Sequence, residues 1–394
     1  MARFCALGTS AIGLSLLVMM SPAFAAPTLD PSDDTSRLGA PEQFLFWTPE
    51  QQVSGYRNID RVFNTRMVHA SDSPYPLPEK PTELGQVTLA VEGESMTVDQ
   101  YFERQDVAGL LVIKNGNIIY ERYGLGNTRD SRWVSFSVTK SVVSMLVGAA
   151  VRDGYIKSLD EKVSDYLPRL KGSSYDQSSI RNILQMASGV QWNEDYADPA
   201  SDVNSAEWST LDLYEYLRHK PRAAEPGELF NYNTGETNLV GTLLRSAIGN
   251  NLSTYLEEKI WRPFGMESDA WWMLSEPGGG ETGGCCINAT LRDYGRIGLF
   301  ALGNGRLRDG KDVLPEGWME ESTTPSKGYK GYGYLWWLRD DGDYQAMGIF
   351  GQGIYIDPAE NVVIALQSAR EVASSDPDWI LQTALFQALI DALR

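Results

Sequence analysis

The chain has 394 residues, enough to bury a substantial core as one large unit or two closely packed ones. Hydrophobic residues make up 42% of it, and Asp and Glu outnumber Lys and Arg 52 to 34, for a formal net charge of -18. With no basic stripe or tail, that balance speaks against a nucleic-acid partner, and the acidity serves solubility.

The amino terminus carries Arg3, an apolar run over 11–20, and then Ser21-Pro22-Ala23-Phe24-Ala25-Ala26-Pro27. A charged start, a short hydrophobic centre and an Ala-x-Ala site read as a secretory signal over 1–25. The apolar run is short for a membrane span, and no other stretch is long and apolar enough to be one. The expectation is therefore an exported chain, periplasmic or secreted, with no stable membrane insertion after cleavage. Cys5 leaves with the signal, and Cys285 and Cys286 remain as neighbours. Adjacent Cα atoms across a trans peptide sit closer than a disulfide normally wants, so two small thiols are expected there.

Residues 26–96 read as an amino-terminal extension of loops. The 30–39 stretch is polar, Phe44-Leu45-Phe46-Trp47 supplies aromatic anchors before Pro49, and 71–81 is rich in proline and serine. From residue 97 the patterning tightens. A short helix over 97–104 precedes two apolar runs, 109–114 and 117–123, joined by Asn115-Gly116, a strong hairpin signal. Next comes Trp133-Val134-Ser135-Phe136-Ser137-Val138-Thr139-Lys140-Ser141, running into a helix that is apolar on nearly every face and ends at Asp153-Gly154. The middle is mainly helical: Ser158-Leu159-Asp160-Glu161 reads as a capping box, and further helices fall at 179–187, 210–217, 238–247, 253–260 and 290–301. Strands return at 332–338, 345–350, 354–356 and 361–367, before a final amphipathic helix over 376–393. The resulting fold class is α/β of the α+β type. An antiparallel sheet is built from both chain ends and flanked by helices, with a mainly helical lobe inserted at about 155–305.

Elimination narrows the chemistry. His69 and His219 are the only histidines, and no Gly-x-Ser-x-Gly elbow is present, so a Ser-His-Asp triad lacks a good base. A histidine-based zinc centre is equally poor, and no metal is expected. The acidic residues Glu194, Asp195, Asp198 and Asp202 do not follow an EF-hand spacing and read as solvated or structural. Ser137 and Lys140 are three apart on one helix face, near enough to hydrogen-bond. A lysine in a dry site loses its proton more easily and can take one from the serine; alternatively it stays charged and a nearby tyrosine is the base. The candidate is Tyr232, delivered by a turn just before the 238–247 helix.

Phe-Ser-Val-Thr-Lys-Ser at 136–141, Asn-Ile-Leu-Gln-Met-Ala-Ser-Gly at 182–189, Pro226-Gly227 through Tyr232, and Gly348-Ile349-Phe350-Gly351-Gln352 occur in that order. Together these motifs resemble the serine β-lactamase-related family, which includes class C β-lactamases, penicillin-binding-protein-like esterases and 6-aminohexanoate-dimer hydrolases. The last branch is the most similar, through Trp192 to Pro199 and Ala289 to Tyr294. The resemblance spans about Phe44 to the end and implies a β-lactamase/transpeptidase-like serine hydrolase domain over 97–394. It implies an acyl-enzyme on Ser137, with Lys140 its partner and Tyr232 the general base and acid. It also implies an oxyanion hole from the N–H groups of Ser137 and Gln352, and substrate contacts from Tyr196, Asn233, Phe350 and Gly351. No cofactor is implied, and the partner is a small ester or linear amide.

Two departures bear on substrate. Thr234 stands where the family's Tyr-x-Asn has asparagine, and Ile349 stands where its Lys-Thr-Gly has a carboxylate-binding lysine. They weaken the alternatives of a β-lactamase or DD-peptidase, and leave a catalytically idle binding protein on the same fold as the reading from another class.

Overall fold

The computed structural model describes residues 26–394, so the expected signal segment and Cys5 lie outside the described residues. Among the described residues there are twelve strands: β1 (Thr65–Val68), β2 (Thr88–Val91), β3 (Glu94–Thr97), β4 (Val107–Lys114), β5 (Asn117–Tyr123), β6 (Arg132–Val134), β7 (Ala270–Met273), β8 (Ile287–Thr290), β9 (Trp337–Leu338), β10 (Tyr344–Gly348), β11 (Gln352–Asp357) and β12 (Val362–Ser368). The main sheet has the order β5-β4-β12-β11-β10-β9, antiparallel throughout, and joins both ends of the described chain as the sequence suggests.

Period-two side-chain alternation puts a core on each side of that sheet. Leu110 and Val112 of β4, with Val362, Ile364 and Leu366 of β12, face the carboxy-terminal helix Asp376–Leu393 through Leu381, Leu385, Phe386 and Leu389. Leu111 and Ile113, with Val363 and Ala365, face the larger cluster that contains the Val138–Arg152 and Leu291–Leu302 helices. The second of these lies close on the sheet because of Gly298, where a Cβ would sit 2.4 Å from Val363 Cγ1 and 2.9 Å from Ile354 Cγ2. No helix among the described residues is long and apolar enough to cross a membrane.

Four expectations change. The helix foreseen at Ser158 is only Val163–Tyr166, because Ser158 Oγ accepts from Asp160 N (3.1 Å) and closes a turn. The strand foreseen over 332–338 survives only as β9, since Leu335 takes a φ of 59° and donates its N–H to Leu184 O at 2.9 Å. A second sheet, β1-β7-β8-β6, was not foreseen: its strands are three or four residues long, and Val68 pairs with the distant Ala270. Cys285 and Cys286 form a vicinal disulfide instead of two thiols, their peptide being cis and their Cα atoms 3.3 Å apart.

Gly298→Ala tests the close approach of helix and sheet. The helix-propensity gain of about 1 kcal/mol is expected to be outweighed by an overpacking cost of roughly 1–3 kcal/mol, seen as a lower denaturant midpoint.

Candidate active site

Ser137 is the last residue before the Val138–Arg152 helix, and its side chain makes no capping hydrogen bond to that helix. The hydroxyl does not cap the helix because Ser137 itself has helical backbone angles, φ -68° and ψ -5°, where a capping residue is extended. Phe136 lies in the left-handed region at φ 45°, a costly conformation for a bulky residue, and the neighbourhood holds it there. Its ring packs 5.0 Å from Phe44, 5.2 Å from Tyr56 and 5.0 Å from Phe350. One residue earlier, Ser135 N donates to Ile287 O at 2.8 Å, while Ser135 Oγ and Thr139 Oγ1 both accept from Ile287 N at 2.9 Å. The turn is thereby sewn to β8.

Lys140 is 1% exposed and Ser137 7% exposed. The ammonium has three N–H donors and three acceptors: Ser137 Oγ at 2.8 Å, Thr234 Oγ1 at 3.0 Å and Gly284 O at 2.8 Å. Burial lowers its pKa to about 8, and the charge of Glu194 pulls the other way. Tyr232 is half-buried, with Lys140 Nζ 5.2 Å from its ring centroid and Trp337 stacked at 5.5 Å. Burial raises its pKa, as does the charge of Glu194, while the nearby Ser137 hydroxyl opposes them.

The sequence pattern leaves Glu194 as solvated or structural, and the structure ties it into the hydrogen bonds around Lys140. Tyr196 donates its phenol to Glu194 Oε1 at 2.6 Å, Thr234 N donates to Oε2 at 3.1 Å, and Trp192 Nε1 and Thr234 Oγ1 also donate to this carboxylate. A chain Glu194–Thr234–Lys140–Ser137 results. Spacing gave no signal for it, because Glu194, on a loop, and Thr234, at the start of the Thr234–Ile248 helix, meet only in the fold. The other acidic residues are structural: Asp202 binds Lys220 at 2.6 Å, and Asp195 and Asp198 accept from the N–H groups of Ala197 and Ala200, both at 2.9 Å. Among the described residues no His, Cys, Asp and Glu cluster could hold a metal ion. His69 and His219 are exposed beside Glu257 and Glu215, on the surface.

Ser137 opens on a cleft of about 340 Å³, lined also by Phe44, Tyr196, Val203, Trp208 and Ile349. Tyr196 therefore stands where a substrate would lie. Three expected substrate residues do not. Asn233 is fully buried and caps the Thr234–Ile248 helix by accepting from Glu236 N at 2.9 Å. Phe350 is fully buried in the aromatic cluster, and Gly351 faces Arg370, whose Nε would lie 2.7 Å from an added Cβ. Gln352 does not line the cleft either: it is fully buried, and its side chain donates to Ser368 O at 3.0 Å. Ile349, in the turn just after β10, lines the cleft in its place, and among the described residues its N–H has no partner. The sheet edge reaches Ser137 because residue 348 is glycine: a Cβ there would lie 2.6 Å from Ser135 O.

Replacing Glu194 with glutamine keeps an acceptor and removes a charge. Because that charge favours the ammonium form of Lys140, its loss is expected to move the acid limb of the pH–rate profile to lower pH, by roughly one pH unit. An unchanged limb would dissociate Glu194 from the lysine.

The Beta-lactamase family model matches residues 97–387. The 6-aminohexanoate-dimer hydrolase of Paenarthrobacter ureafaciens is 29% identical over 297 residues, covering 69% of this chain and 75% of that protein. A β-lactamase of Pseudomonas fluorescens is 28% identical over 183 residues, covering 43% of this chain and 48% of its own. In fold, a Bacillus anthracis protein assigned as a 6-aminohexanoate-dimer hydrolase superposes with a TM-score of 0.77 at 22% identity, covering 87% of this chain and 94% of that one. A class C β-lactamase of Rhodobacter sphaeroides gives 0.58 at 16%, with coverage of 75% and 98%. With the family model spanning most of the chain, this protein belongs to the Beta-lactamase family, as a serine hydrolase.

Proposed function

We propose that the protein hydrolyses neutral esters and linear amides through an acyl-enzyme on Ser137, outside the cytoplasm. The observation that carries the chemistry is the 2.8 Å contact between Lys140 Nζ and Ser137 Oγ in a dry site, with the lysine pKa brought down to about 8. A base whose pKa lies near the working pH combines adequate population with adequate driving force. Tyr232 is shifted the other way and is suited to give a proton.

The steps follow from those assignments. Ser137 Oγ attacks the carbonyl carbon as its proton passes to Lys140. The oxyanion forms against the N–H groups of Ser137 and Ile349, each worth roughly 3 kcal/mol by analogy with other oxyanion holes. Collapse breaks the bond to the leaving group, which takes the Tyr232 proton, and Lys140 returns one to the phenolate. Water then repeats the sequence on the acyl-enzyme and releases the acid. None of these steps draws on a cofactor. The export reading rests on the Ala-x-Ala pattern of the amino terminus.

The preference for neutral substrates rests on what lines the cleft. Among the described residues no lysine, arginine or histidine lines it, and Glu42 is its one charged side chain. Lys140 is close, yet it is uncharged when it acts as the base, and as an ammonium its three donors are already occupied. A substrate carboxylate therefore finds no cation to receive it, and Ile349 offers only methyls.

The direct test of the nucleophile is Ser137→Ala, expected to reduce hydrolysis of p-nitrophenyl esters by a factor of about 10³ or more and to abolish fluorophosphonate labelling. Activity at the parental level would refute the assignment. For the charge preference, p-nitrophenyl hexanoate should exceed the adipate monoester in kcat/KM by at least roughly 30-fold, and labelled penicillin should acylate the protein poorly.

A further inference from the structure

At its first described residue the chain is already docked. Ala26 is 8% exposed, and its N donates to Asp106 Oδ1 at 2.8 Å. Three residues on, Leu29 N donates to Leu125 O at 3.3 Å, and Leu29 O accepts from both Arg57 Nη1 and Nη2 at 3.2 Å. Arg57 in turn pairs with Asp34 at 2.9 Å. Residues 26–34 therefore form a strap anchored at Ala26, Leu29 and Asp34.

The strap leads to the catalytic turn. Ala26 belongs to the apolar cluster that includes Phe136, Ile349 and Phe350. Asp106 C=O accepts from Ala369 N at 2.9 Å, and the next residue, Arg370, donates its N to Phe350 O at 3.3 Å. One aspartate thus joins the start of the strap to the strand end that backs the turn bearing Ile349.

Among the described residues Asp106 forms no salt bridge, and the charges that bear on it, Glu371 and Glu103, are both acidic. Burial pushes its pKa up to about 6, and the Ala26 N–H works against that rise. A part-buried carboxylate with one amide donor and two like charges nearby is a site short of positive charge.

The Ala23-Phe24-Ala25 motif ends one residue before that donor. We propose that an endopeptidase selective for small residues cuts between Ala25 and Ala26, and that the ammonium so formed pairs with Asp106 and locks the strap in place. Water adds across the peptide bond, leaving a carboxylate on Ala25 and an amine on Ala26. An α-amino group has a pKa of about 7.7–8 and so is largely protonated at neutral pH. The same nitrogen that gave one amide hydrogen bond then supplies a full charge and up to three donors. Processing on this account completes the folded state as well as releasing the leader. The inference does not depend on how Ser137 reacts.

The test compares the 26–394 chain, released by a protease that leaves Ala26 first, with the same chain preceded by Gly-Ser, each with Asp106 intact and as Asp106→Asn. Mass spectrometry of full-length protein exported by a host should give a chain beginning at Ala26. The extension is expected to lower Tm by roughly 2–5 °C when Asp106 is intact and to cost little in the Asp106→Asn chain. A different mature terminus, no loss of Tm on extension, or an equal loss in both backgrounds would overturn the proposal. Should Asp106→Asn not fold, Nα-acetylation of the Ala26 chain removes the charge and keeps one N–H. Tm should fall as it does on extension, and an unchanged Tm would again overturn it.

Discussion

The site depends on one buried amine. Lys140 is carried on a helix that is apolar almost all round, so its charge has to be met by whatever the rest of the fold delivers. Three acceptors come from three places: Ser137 on its own helix, Thr234 at the start of another, and Gly284 from the loop before β8. An unpaired ammonium at that depth would cost several kcal/mol. Packing of the helical lobe against the sheet and satisfaction of the lysine are therefore one condition. The same burial that demands partners also lowers the lysine pKa, so structural cost and chemical use have a common origin.

Around that amine the polar groups are few and each is engaged. Glu194 gathers Tyr196, Thr234 and Trp192, and Thr234 links the carboxylate to Lys140. Its negative charge partly offsets the effect of burial on the lysine and reinforces it on Tyr232. The two candidate proton carriers are thus moved in opposite directions by one environment, which favours distinct roles for them.

The amino-terminal residues are part of this machinery. Phe44 stacks on Phe136, the residue held at φ 45° just before the nucleophile, and lines the cleft beside it. Tyr56 and Phe350 close the same aromatic group, so the strained turn is held from both ends of the chain. The cleft that results is mostly apolar, with Glu42 its one charged lining residue among the described residues. Members of one fold family can differ in substrate through such lining residues while the reacting groups stay fixed.

Local patterning was enough for much of this. The Asn115-Gly116 hairpin, the apolar helix after Ser137, the closing strands and the last helix are short-range signals, because alternation and helical periodicity are written within a few residues. The Ser-x-x-Lys pair was legible for the same reason: one helical turn sets its geometry. What the sequence could not determine were meetings between distant segments. The β1-β7-β8-β6 sheet pairs residues some 200 positions apart, as at Val68 and Ala270, through strands too short to show a period. Glu194 joins Lys140 only through Thr234, and the end of β10 brings Ile349 to the cleft while Gln352 is buried behind it. Which face of a loop meets solvent and which meets the core depends on docking of the whole lobe, and no window of neighbouring residues contains that information.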